Sequence, residues 1–132
     1  MFMRYLLFLL SITLLISCNK EKEQGKNFAV LDGKVINHSE NIIKIRDIDN
    51  NTVKELNILE DGQFRDTLYD LSPGYYRISL DKESSTLFLK PGTEISVNLD
   101  YNLFDETLKF EGTGSAENNY LSATYLNNEK LG

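Results

Sequence analysis

Few residues of this chain have the chemistry for catalysis or metal binding, and each sits in a pattern that lacks a partner. Cys18 is the single cysteine and His38 the single histidine of 132 residues. A catalytic thiol needs a base and an orienting group, and thiol–disulfide exchange needs a resolving cysteine that this chain does not supply. A disulfide from Cys18 would have to be intermolecular, and nothing in the sequence supports one. His38, in "NHSENI", falls in a turn without Cys or His neighbours, which makes a poor metal site. "DIDNNTVKELNI" begins like a calcium loop with Asp47, Asp49 and Asn51. Its sixth and twelfth positions should be Gly and a bidentate Glu; they are Thr52 and Ile58, so a polar hairpin turn is expected instead. "GTGS" at 112–115 precedes a helix but lacks the Gly-Lys-Ser/Thr of a phosphate-binding loop, and is expected to be a strand-to-helix connection. Asp61, Asp66, Asp70, Asp81, Glu83, Asp105 and Glu106 all fall near turns or exposed faces. A glycosidase would hold two such groups about 5–9.5 Å apart across a cleft, and a solvated rim accounts for them without that. No catalytic residue, no metal ligand and no cofactor is expected.

Cys18 has a different use. Arg4 gives a short positive start, Leu6 to Ile16 form an apolar run, and Ser17 places a small residue before the cysteine. That is the layout of a secretion signal with a small-residue cleavage site. The run is well short of the ~20 residues that cross a bilayer as a helix. The segment resembles a bacterial lipoprotein signal, in which the lipobox cysteine receives diacylglycerol and becomes the new N-terminus. Lipid attachment at Cys18 is therefore expected, with 1–17 as signal peptide. Residues 18–27 then form a flexible tether, since "NKEKEQGKN" offers no apolar side chain to offset the entropy of ordering. "KEKE" also resembles the export signals that send some lipoproteins to the outer face of the outer membrane.

The remaining 115 residues are enough for one domain. With Arg4 removed the mature chain has 13 basic and 20 acidic residues, a formal charge of −7. Nucleic acid is excluded as a partner, because its phosphates call for a basic footprint. Broad attraction to anionic lipid is excluded for the same reason, so membrane association rests on the anchor.

The elements that must position any site read as strands. In "TEISVNLD", Ile95, Val97 and Leu99 share one face. In "QFRDTLYD", Phe64, Asp66 and Leu68 do so, and in "YYRISLD" Tyr76, Ile78 and Leu80. Period two marks half-buried strands with one wet face. Asp61-Gly62, Pro73-Gly74, Pro91-Gly92 and Asn50-Asn51 supply turns. The pattern predicts an all-β domain over 28–114, a single antiparallel β-sandwich of about eight strands: 28–36, 41–48, 52–59, 63–69, 75–81, 85–90, 93–100 and 107–111, with no helical period between them. From Ser115, read as an N-cap, to 132 the spacing turns helical. Tyr120, Leu121, Thr124, Tyr125 and Leu131 form its apolar stripe, which either packs on its own domain or points to something beyond the chain.

"FAVLDGKVIN", "EDGQFRDTL", "GYYRISL", "LFLKPGTEISVNLD" and "FEGTGSAENNYL" together resemble the β-sandwich domain of unknown function that precedes a thioredoxin-like domain in many lipid-anchored, thiol:disulfide oxidoreductase-type proteins of diderm bacteria. The resemblance covers about residues 28 to 126 and rests most on Asp61-Gly62-x-Phe64, on Pro91-Gly92 and on Gly112 to Ser115 with Asn118 and Asn119. It implies a cell-envelope lipoprotein, on the outer membrane and facing the periplasm or the cell surface, that is not itself an enzyme. In that family the C-x-x-C chemistry lies on the downstream domain, so no catalytic residue carries over. Because the sequence stops at Gly132, inside or just after the helix that would lead there, it reads as a stand-alone relative or as a truncated front half. The expected role is a tethered binding or spacer module. Two other roles fit: an accessory domain working in trans with a thioredoxin-like partner, or a surface lipoprotein capturing glycans or nutrients, for which Tyr75, Tyr101 and Tyr69 are the candidate aromatic contacts.

Overall fold

The computed structural model describes residues 27–131, so the signal segment and Cys18 lie outside the described residues. The alternating segments form eight strands: β1 (Phe28–Ile36), β2 (Ile42–Arg46), β3 (Thr52–Asn57), β4 (Gln63–Tyr69), β5 (Gly74–Leu80), β6 (Glu83–Leu89), β7 (Glu94–Asp100) and β8 (Lys109–Gly112). They make two four-stranded sheets, in the orders β4-β1-β7-β8 and β3-β2-β5-β6. Inward-facing Leu31, Phe64, Leu68, Ile95, Val97 and Phe110 from the first sheet meet Ile43, Ile45, Leu56, Ile78, Leu80 and Leu87 from the second, all at most 3% exposed. This is the all-β sandwich that the alternation implies.

Three details depart from the sequence-based expectation. Five of the six strand pairings are antiparallel, but β1 and β7 run parallel through the middle of the first sheet. Period two assigns side chains to faces and is the same whichever way a neighbour runs. Between β7 and β8 the chain does coil. A 3₁₀ turn at Tyr101–Leu103 leads into a one-turn helix, α1 (Phe104–Thr107), whose Phe104 joins the core together with Leu108. A turn this short has too few residues to show a helical period. Finally, Gly74 opens β5 without a positive φ, and the left-handed residue of that connection is Asp70 (φ 52°). Gly62 and Gly92 do supply positive φ, at 83° and 85°.

Asp105 on α1 sits among like charges. Partial burial raises its carboxyl above the ordinary value of 3.8, and Glu129, Glu83 and Glu106 add to the shift. The folded state therefore holds this proton to higher pH than the unfolded chain. Stability falls as pH rises from 3.8 through the raised value, and the loss persists at neutral pH. Asp105→Asn is accordingly expected to raise the thermal midpoint at pH 7 and to give no gain at about pH 3. Equal gains at both pH values would mean that the charge is irrelevant there.

The last element, α2 (Ser115–Leu131), begins right after Gly114, whose φ is 82°. Gly112 makes the preceding turn tight: a Cβ there would lie 2.5 Å from the Glu94 carbonyl oxygen. The helix packs on β6 and β8, the edge strands of the two sheets on one side of the sandwich. Its contact face is not the predicted stripe. Tyr120, Tyr125 and Leu131 point outward, while Asn118 and Ser122 are buried and Leu121 and Leu126 half-buried.

The reason lies in what the helix covers. An edge strand presents unpaired backbone groups, and two adjacent asparagines take them up. Asn118 Oδ1 accepts from the Phe88 N–H at 2.7 Å, and Asn118 Nδ2 donates to the Phe88 carbonyl at 3.0 Å. Asn119 repeats this on β8, accepting from Phe110 N–H at 2.9 Å and donating to its carbonyl at 2.8 Å. Each amide acts as one rung of a missing strand, so one helix caps both edges, at Phe88 and at Phe110.

Candidate functional site

Alternation along β5 and β6 places Tyr75, Arg77, Thr86 and Phe88 on the outer face of the second sheet. Register sets them opposite each other as Tyr75 with Phe88 and Arg77 with Thr86. The two rings meet edge to face, with centroids 5.4 Å apart and planes at 62°. Helix α2, clamped to the β6 edge through Asn118, rises beside this face as a wall carrying Glu117, Tyr120, Leu121 and Tyr125. The β2–β3 turn adds Asp47, Ile48 and Asn50 at the opposite margin.

Three depressions abut here. The first, of 260 Å³, is bounded by Asp47, Ile48, Asn50, Tyr75, Tyr76, Arg77 and Thr86. The second, of 230 Å³, lies between Tyr75, Phe88 and the helix residues Glu117, Tyr120 and Leu121. The third, of 300 Å³, runs from Arg77 and Thr86 past Ser84 to Leu121 and Tyr125. Shared walls make them one shallow groove across β5, β6 and α2. Three tyrosines stand largely free along it: Tyr75 is 58% exposed, Tyr120 72% and Tyr125 56%.

Asp47 is held rather than free. Its Oδ1 accepts the Asn51 backbone N–H at 2.8 Å and its Oδ2 the Asn51 side-chain amide at 3.1 Å. These bonds keep its carboxyl below the usual value. The segment that begins like a calcium loop is thus a polar turn, closed also by Asn50 N–H donating to the Asp47 carbonyl at 3.0 Å. Tyr76, which also borders the first depression, donates its hydroxyl to the Ser72 carbonyl at 2.7 Å, and burial raises its pKa.

Of the three tyrosines expected to serve an aromatic site, only Tyr75 is in the groove. Tyr69 ends β4 on the other sheet and leans on Phe28, with centroids 5.9 Å apart. Tyr101 donates its hydroxyl to Asp81 at 2.8 Å, and that bond is the largest cause of its raised pKa. The carboxylates are likewise spread out. Asp61 accepts from the Gln63 backbone at 3.0 Å, Asp66 pairs with Lys54 at 3.1 Å and Asp70 accepts from Asn27 at 3.2 Å. His38 Nδ1 lies 3.2 Å from the Glu40 carbonyl in the β1–β2 turn. Among the described residues, no three His, Cys, Asp or Glu side chains are grouped to hold a metal ion, and no helix is long and apolar enough to cross a membrane.

Phe88 and Arg77, the basic side chain of the groove, are the residues that sequence reasoning passed over. Tyr120 and Tyr125 were legible as a stripe, although their direction was not. No protein-family model and none of the curated proteins matches the chain. One solved structure is similar in part, a DUF3823 family protein from Parabacteroides merdae, at 21% identity and a TM-score of 0.39. The match covers 55% of this chain and 45% of that one, so the chain spans less than half of its length. A likeness at this level carries nothing further over to this chain.

Proposed function

We propose that this chain is a lipid-anchored protein of the cell envelope, held by Cys18 to the outer membrane, whose β-sandwich is a non-catalytic binding module. The observation that carries the binding role is the open groove on β5, β6 and α2, with three largely exposed tyrosines along it. A contiguous aromatic surface of this kind supports the reading as a contact site. The anchor comes from the signal-like segment before Cys18, and kinship with the N-terminal domain of envelope thiol:disulfide oxidoreductases comes from the sequence resemblance. Rings interleaved with Arg77, Thr86 and Asp47 favour capture of a small polar ligand such as a glycan over a pure spacer role.

Two measurements test this. Expressed in a diderm host, the chain is expected to enter the detergent phase on Triton X-114 partition, with a diacylglycerol-modified Cys18 by mass spectrometry. The Cys18→Ser chain is expected in the aqueous phase. Identical partition of the two would remove the anchor. For the groove, retention on polysaccharide gels is expected from the wild-type chain and not from Tyr75→Ala/Tyr120→Ala. Retention that ignores the double substitution would place binding elsewhere. Selective capture of a thioredoxin-like protein instead would assign the module to work in trans with that partner.

A further inference from the structure

The outer face of the second sheet carries an arrangement of charge that folding alone disfavours. Arg46 on β2 and Arg77 on β5 are direct cross-strand partners. Both side chains therefore leave the same face, with Cβ atoms about 4.5–5.5 Å apart, and like charges so placed destabilise a sheet. Among the described residues neither guanidinium forms an ion pair; the basic partners of the ion pairs are Lys44, Lys54, Arg65 and Lys109. The chain has 20 acidic residues against 14 basic ones, so carboxylates are plentiful, yet among the described residues none comes within ion-pair distance of either guanidinium, and the nearest in sequence, Asp47, is held by Asn51.

Beside the pair lie the groove's polar and aromatic contacts, Thr86 opposite Arg77 and the Tyr75–Phe88 rings one rung along. We propose that the groove binds a short acidic sugar, with its carboxylate or sulfate between Arg46 and Arg77 and its ring against Tyr75. The proposal rests on the groove being a binding site and adds the class of ligand. Guanidinium forks match planar or tetrahedral oxyanions with paired hydrogen bonds. Tyrosine offers an apolar face with a polar rim, suited to a sugar ring, and the Thr86 hydroxyl can donate or accept.

An acidic peptide would satisfy the arginines too, but peptides gain much of their affinity by adding a strand to a sheet edge. Here β5 is flanked by β2 and β6, and the β6 edge at Phe88 is occupied by Asn118. Long polyanions are opposed by the net charge of −6. A short glycan meets neither obstacle.

The test is titration calorimetry on the full chain in a zwitterionic detergent, with trigalacturonate, galactose 6-sulfate, maltotriose and triglutamate as probes. Binding of trigalacturonate or galactose 6-sulfate is expected, and which of the two binds separates carboxylate from sulfate recognition. Arg46→Gln and Arg77→Gln are each expected to weaken it by about tenfold to a hundredfold. The thermal midpoint should meanwhile hold or rise by about 1–4 °C, because the repulsion is relieved. Three results would overturn the proposal: acidic-sugar binding that survives Arg46→Gln/Arg77→Gln, triglutamate binding as tightly, or binding of neither acidic sugar. If maltotriose binds in a Tyr75-dependent way with no acidic preference, the groove remains a binding site and only the acidic class falls. If no sugar binds and polysaccharide retention is also absent, both fall together.

Discussion

Asn118→Ala is expected to destabilise the domain by about 2–5 kcal/mol, a large share of the roughly 5–15 kcal/mol that holds a domain folded. Asn118 is fully buried. Its amide joins Phe88 N–H and C=O and also donates to the Gly114 carbonyl at 3.1 Å. Removing it leaves a backbone donor and an acceptor of β6 without partners beneath the helix, each costing about 1–3 kcal/mol. Helix propensity acts the other way, since Ala is a better helix former than Asn by a few tenths of a kcal/mol. A loss therefore cannot come from helix propensity; the lost bonds and the small cavity left at this buried site both contribute to it. Asn118→Asp keeps an acceptor for Phe88 N–H but loses the donor, and should cost nearly as much. Asn119→Ala should cost less, because Asn119 is only half-buried. Urea unfolding of the three variants checks this, and a loss under about 1 kcal/mol for Asn118→Ala would show that the amide does not seal the edge. Because α2 also forms one wall of the groove, the same variant should weaken ligand binding beyond its effect on stability.

Gly33→Ala is expected to abolish the native fold. Gly33 sits in the middle of β1, opposite Phe64 on β4 and Val97 on β7. Its φ is +151°, and an added Cβ would overlap the carbonyl oxygen of Val97. That oxygen belongs to the backbone of a central strand, so relief requires separating β1 from β7 or bending the sheet. A cost beyond about 4 kcal/mol places such a change among the exceptional ones. Gly74→Ala is the matched control. It lies at the start of a strand with nothing within 4 Å of the added methyl, and it should be neutral or stabilise by about 0.4–1 kcal/mol through the unfolded chain. Circular dichroism and solubility of the two variants decide the matter. A folded Gly33→Ala protein would show that the β1–β7 contact can open by more than a methyl's width at little cost.

Which side of each strand faces the core was determined by the sequence alone. Ile95, Val97 and Leu99, like Phe64 and Leu68, lie where period two puts them, because a strand's side chains alternate regardless of what lies beside it. The terminal helix was equally legible from its composition and its change of period. Strand direction and partners were decided by the tertiary structure. Nothing local in "VLDGKVI" says that it runs parallel to "EISVNLD", since pairing joins backbones far apart in the chain. The facing of the helix was decided there too. An apolar stripe predicts packing against an apolar surface, whereas α2 lands on two open strand edges that need hydrogen bonds. Asn118 and Asn119 therefore go inward and Tyr120 and Tyr125 outward. The groove follows from that same decision: Tyr75 and Phe88 come from the sheet and Tyr120 from the helix, and only docking through Asn118 brings them to one surface. Arg46 and Arg77 become neighbours by register alone, 31 residues apart in a sequence that gives no sign of it.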